Sequence, residues 1–96
     1  MSWIVLVRPE AERDLEAAQA WYEREKPGLG REFLDEFVIA MKAIEANPVR
    51  ARLYHRQFRR ILFRRFPYKI FYQVIGERVI IFRVLHAKQQ HPQRLE

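Results

Sequence analysis

The chain has 96 residues, 49% of them hydrophobic and 14% aromatic, with no cysteine and a formal net charge of +6. That length suits one domain over residues 1–96 with enough apolar material for a core, and the missing thiols exclude a disulfide framework and a thiolate metal site. Residues 1–47 carry six Lys/Arg and ten Asp/Glu, residues 48–96 carry twelve and two, and Arg50 to Lys69 holds eight basic residues and no acid. Such an imbalance fits an anionic partner for the second half, or a solubilising surface.

Trp3 to Val7 is a short β-type run, and no apolar run in the chain is longer than its five residues. A membrane span needs ~20 such residues. No signal-peptide pattern surrounds the run, so a soluble cytoplasmic protein without membrane association is expected. Pro9 suits the first turn of a helix, and Glu10 and Glu12 favour its N-terminus. Ala11, Leu15, Ala18 and Tyr22 then recur at helical spacing. Lys26-Pro27-Gly28-Leu29-Gly30 breaks that helix. A second periodic run sets Phe33, Phe37, Ala40 and Ile44 on one face and stops at Asn47-Pro48. Two helices joined by so short a turn predict an antiparallel hairpin.

After Pro48 the period changes to alternation. Strands are expected near Phe58–Arg64, Tyr68–Ile75 and Arg78–Leu85, with a tight turn at Ile75-Gly76-Glu77-Arg78. The order β-α-α-β-β-β predicts an α+β domain, a helical hairpin packed on a small antiparallel sheet. Strict alternation places Ile61, Phe63, Tyr68, Ile70, Tyr72, Val74, Ile80, Phe82 and Val84 toward the helices. The opposite face then carries Arg60, Leu62, Arg64, Lys69, Phe71, Gln73, Val79, Ile81, Arg83 and Leu85. Large apolar groups among cations on an uncovered face mark a partner-binding surface.

Few catalytic chemistries fit the composition. Ser2 is the only serine and threonine is absent, which excludes the usual hydroxyl nucleophiles. His55, His86 and His91 lack zinc-site spacing and thiolate partners. No glycine-rich phosphate loop is present. Neither a metal nor a cofactor is expected.

DLEAAQAWYE, the PGLG turn, REFLDEF, the helix end EANP, then FRRILFRRFPYKIFYQV and VIIFRVLHAKQQHP together resemble the RelE/ParE superfamily of toxins from type II toxin–antitoxin systems. The resemblance covers essentially the whole chain and rests on the order and spacing of these stretches. It implies the β-α-α-β-β-β fold and a cognate antitoxin. RelE-like members cleave mRNA on the ribosome without metal, whereas ParE-like members poison DNA gyrase by binding.

By position, Arg60 and Lys69 match cations of the RelE-type site. Leu62 and Gln89 stand where further cations would be, and Leu95 stands near the place of a C-terminal tyrosine. These departures favour a ParE-like gyrase inhibitor without an active site. Under the RelE-like alternative, Arg60, Lys69, Arg83 and His86 would be catalytic, with His86 as a general acid. A degenerate toxin or a basic nucleic-acid-binding module is the third reading. Arg60, Leu62, Arg64, Lys69, Phe71, Ile81, Arg83 and Leu85 are the expected partner-binding set, suited to an acidic antitoxin segment with apolar anchors.

Overall fold

A five-stranded sheet carries a helical hairpin on one face in the computed structural model, which describes residues 3–88. Ser2, Gln89, His91 and Leu95 lie outside the described residues. The elements are β1 (Ile4–Val7), α1 (Pro9–Glu25), α2 (Leu29–Ala46), β2 (Leu53–His55), β3 (Phe58–Leu62), β4 (Tyr68–Ile75) and β5 (Arg78–His86). In space the strands stand β1-β5-β4-β3-β2. The expected α+β class, with its helical hairpin on a small sheet, is borne out. β2 to β5 pair antiparallel, and β1 joins the edge of β5 in parallel, Leu6 opposite Ile80. The short strand β2 is an addition, because three residues leave no periodic signal.

Glycine and one glutamate shape the hairpin turn. Gly28 takes φ 90°, a left-handed conformation that side chains disfavour. Glu23, in the last turn of α1, accepts the backbone N–H groups of Gly28 at 2.9 Å and Gly30 at 3.0 Å. It thereby satisfies free donors at the start of α2 from outside the helix. A Cβ on Gly30 would lie 2.8 Å from the Gln19 carbonyl oxygen, so only glycine lets the two helices come this close.

The core lies between the hairpin and the sheet. Ala11 and Ala18 of α1 and Phe33, Ala40 and Ile44 of α2 meet Phe63, Ile70, Tyr72, Val79, Ile81 and Val84. Phe33 is fully buried and stacks on Phe63 with ring centroids 5.1 Å apart. The Tyr72 hydroxyl donates to the Pro48 carbonyl at 2.8 Å, tying the central strand to the loop after α2.

Strict alternation fails along β5. Ile81, expected on the open face, is fully buried in the helix-side core, and so is Val79. Phe82, expected under the helices, packs instead on the opposite face against Phe58, Phe71 and Leu85. The two-residue turn, with Gly76 at φ 60°, pairs Val74 with Val79, so Val79 must share the face of Val74. A bulge then follows, since Phe71 opposes Arg83 and Tyr72 opposes Ile81, leaving Phe82 as the extra residue. The extra residue resets the phase, and Val84 returns to the helix side.

Ion pairs fasten the hairpin to the sheet ends. Arg64 donates to both oxygens of Glu36, at 3.2 and 2.8 Å, and Arg65 reaches Glu32 at 2.8 Å. Arg64 is therefore held by α2 and is not part of the open face. Bidentate pairing to arginine holds the Glu36 carboxyl below its ordinary 4.5, while burial opposes the shift.

Two outcomes test this arrangement. Ile81→Ala should cost ~2–5 kcal/mol in a denaturant melt, as a buried aliphatic truncation does, whereas Leu62→Ala should change stability by no more than about 0.5 kcal/mol. Equal losses would mean that the two faces are misassigned. For Glu36, the lowered folded-state pKa gives stability that is present above pH 4.5 and lost as pH falls through the folded value. The gap in melting temperature between wild type and Glu36→Gln should be wide near about pH 7 and close toward about pH 3. A gap independent of pH would count against a contribution from the charge.

Candidate partner-binding face

The sheet face turned away from the helices has an apolar centre of its own. Phe58, Phe71 and Leu85 are buried there, with Tyr54 and Phe82 packed against them. The Phe82 ring stands edge-on to Phe58 at 4.9 Å, and the Arg8 guanidinium lies 4.5 Å from its centroid. Phe71 and Leu85, expected as exposed anchors, are 0% and 1% exposed. They form the floor of this face and offer little surface to a partner.

The accessible part lies toward β2 and β3. Arg52, Leu53, Tyr54, Arg60 and Leu62 line an open groove of about 280 Å³. Leu53 and Leu62 are 58% and 61% exposed and line the same groove, so they form a small apolar patch. The Arg60 guanidinium sits 3.9 Å from the Tyr54 ring centroid, a cation–π contact that fixes the charge at the groove wall. Lys69 lies beside it, paired across the sheet with Leu62 on one side and Leu85 on the other. Burial pushes the Lys69 ammonium below its ordinary pKa of 10.5, and the nearby Arg60 charge adds to the effect. Two close cations over an apolar floor favour an anionic group with apolar neighbours.

The remaining expected site residues are elsewhere. Arg83 donates to Asp14 of α1 through Nε at 2.7 Å and Nη2 at 2.8 Å, and Asp14 also accepts the Val84 N–H at 3.0 Å. This pairing raises the Arg83 pKa and draws its guanidinium toward the helix. His86 is on the helix side, its ring edge-on to Tyr68 at 5.3 Å, and its Nδ1 accepts the Lys88 N–H at 3.1 Å. Of Arg60, Lys69, Arg83 and His86, only the first two come together. Arg52, Leu53 and Tyr54 were not anticipated, because they lie in or just before the short strand β2. Arg59, next to Arg60, donates to the Val49 and Ala51 carbonyls and braces the loop before that strand. Among the described residues, no helix is long and apolar enough to cross a membrane, and no group of three or more His, Asp or Glu could hold a metal ion.

Residues 5–91 match the family described as ParE toxin of type II toxin-antitoxin system, parDE. Among solved structures, a chain of the chromosomal ParDE toxin–antitoxin system from P. aeruginosa superposes with a TM-score of 0.77 at 20% identity, over 88% of this chain and 95% of that one. A chain of the toxin–antitoxin complex RelBE2 from Mycobacterium tuberculosis gives 0.62 at 22% identity, over 90% and 99%. Both share the fold. Among curated proteins none matches. With nearly its whole length matched, the chain belongs to the ParE toxins of type II toxin–antitoxin systems, within the RelE/ParE superfamily.

Proposed function

We propose that this toxin arrests growth by binding DNA gyrase, with no active site of its own, and that its antitoxin neutralises it through the cationic groove beside β2 and β3. The observation that carries the first part is the division of the four RelE-type candidates. Arg60 and Lys69 share the outer face, Arg83 is held by Asp14, and His86 stands on the helix side. General acid–base catalysis needs its proton donor within ~2.6–3.2 Å of the reacting atom, or one water away. A sheet between His86 and the two cations does not meet that requirement. What supports the antitoxin site is the grouping of exposed Leu53 and Leu62 with Arg52 and Arg60, and with Lys69 next to Leu62 across the strands. An acidic, flexible segment with apolar anchors complements both features.

Expression of the wild-type chain should stop growth with loss of gyrase supercoiling activity in extracts, and His86→Ala should do the same. If growth arrest instead tracks ribosome-dependent mRNA cuts, and His86→Ala abolishes the cuts in a folded protein, the RelE-type reading replaces this one.

Antitoxin binding divides into two kinetic effects. Leu62→Ala should speed dissociation, weakening the complex by ~1–2 kcal/mol if Leu62 is a desolvated anchor. Arg60→Ala should chiefly slow association, and the slowing should shrink as salt rises. Stopped-flow rates for both variants check this. If neither rate moves, the antitoxin does not use this groove.

A further inference from the structure

On the other side of the sheet, where α1 crosses the ends of β4 and β5, Trp21, Tyr22, Tyr68 and His86 line a pocket of about 210 Å³. The rings brace one another edge to face: Trp21 on Tyr22 at 5.0 Å, Tyr22 on Tyr68 at 6.1 Å, and Tyr68 on His86 at 5.3 Å. Tyr22 and Tyr68 are half-buried, and burial raises both phenol pKa values, so the hydroxyls stay neutral. Trp21 is 50% exposed, a large apolar side chain left at the mouth. A second depression adjoins the first, sharing Trp21 and Tyr68 and reaching Asp14.

Packing of the core does not require this exposed wall. Tyr22 and Tyr68 also reach the core through Phe33 and Phe66, whereas Trp21 is not part of the core cluster. The volume is below the ~300–1,000 Å³ of pockets for drug-sized ligands and suits a single side chain. Electron-rich rings around a small cavity attract a cation. The helix that supplies Trp21 and Tyr22 is acidic, with six acids and two arginines in a chain whose net charge is +6, and favours a cation at its surface. Asp14 adds a carboxylate at the far end, although Arg83 already shares its charge.

From these features we infer that the Trp21–Tyr22–Tyr68–His86 pocket receives an arginine or lysine side chain presented by a protein partner. The site is distinct from the groove at Arg60 and Leu62. It lies on the opposite face of the sheet and selects the opposite charge. The two features give the toxin one surface for an acidic segment and another for a basic one.

The test uses the full chain, labelled with ¹⁵N, and two small probes of the same shape. N-acetyl-arginine amide carries the charge, and N-acetyl-citrulline amide does not. The arginine probe should shift the indole N–H of Trp21 saturably and leave that of Trp3 in place, and the citrulline probe should bind at least about five-fold more weakly. In Trp21→Ala, whose fold is checked by its amide spectrum, the saturable shifts at Tyr22, Tyr68 and Val84 should disappear. Equal binding of the two probes would overturn the inference, as would shifts confined to the acidic side chains of α1. Absence of any saturable shift at Trp21, or unchanged binding in Trp21→Ala, would overturn it as well.

Discussion

The carboxylate of Asp14 fixes the point on which both faces of the sheet depend. It accepts two bonds from the Arg83 guanidinium and one from the Val84 backbone, immediately after the extra residue in β5. A bulge leaves ladder groups unpaired and lets a strand slip, so a partner at that place stabilises one register over others. With the bulge held, Val79 and Ile81 face the helices before it and Val84 after it, while Phe82 and Leu85 both reach the opposite cluster. Without it, half of β5 would turn an apolar row into solvent. The pair is itself largely shielded, with side-chain exposures of 20% and 14%, and removing one partner would leave a charge without compensation.

The dense cations of Phe58 to Phe71 divide by the same logic of local partners. Arg59 is taken by backbone carbonyls, Arg64 by Glu36 and Arg65 by Glu32. These contacts join the sheet to α2 and the loop after it, which explains why an acidic first half accompanies a basic second half. Part of the imbalance is internal pairing between halves, through Glu36, Glu32 and Asp14. Arg60 and Lys69 differ, since the ring of Tyr54 and the apolar neighbours across the strands hold them near one another. Burying Lys69, and to a lesser degree placing it near the like charge of Arg60, costs free energy in the isolated chain, as its lowered pKa indicates. That cost is relieved when an anion arrives, which is a physical reason for selecting acidic partners.

Much of this was legible from residue order. Both helices, their turn and the three long strands follow from the change of period at Pro48, because helical and alternating spacings cannot be confused over such lengths. The faces of β3 and β4 were equally plain. β5 was not, because Ile80-Ile81-Phe82 is apolar on both sides and a bulge shifts the parity without a glycine to mark it. The pairing imposed by the Gly76 turn, Val74 against Val79, was the available clue. β2 escaped because three residues hold no periodicity, and its turn runs through Arg56 at φ 54° with none of the usual turn residues. The ion pairs could not be read at all, since Glu36 and Arg64 are 28 residues apart and meet only in the fold.

Placement of the groove and the aromatic pocket on opposite sides of the sheet has a consequence for neutralisation. A segment seated at Arg60 and Leu62 does not cover Trp21, so a partner docked in the pocket would not be displaced by simple overlap. On the proposed reading, an antitoxin confined to the groove inhibits only if the target uses that same cationic face. An antitoxin that also wraps the helical hairpin could block both. The sheet joins the two sites through β4, whose Lys69 faces the groove while Tyr68 lines the pocket. Adjacent residues on opposite faces of one central strand move together, so any change in the twist of β4 on binding would be felt at both. The Asp14 clamp opposes such a change by fixing the neighbouring strand to α1, and the two sites are therefore expected to act independently while that clamp is intact.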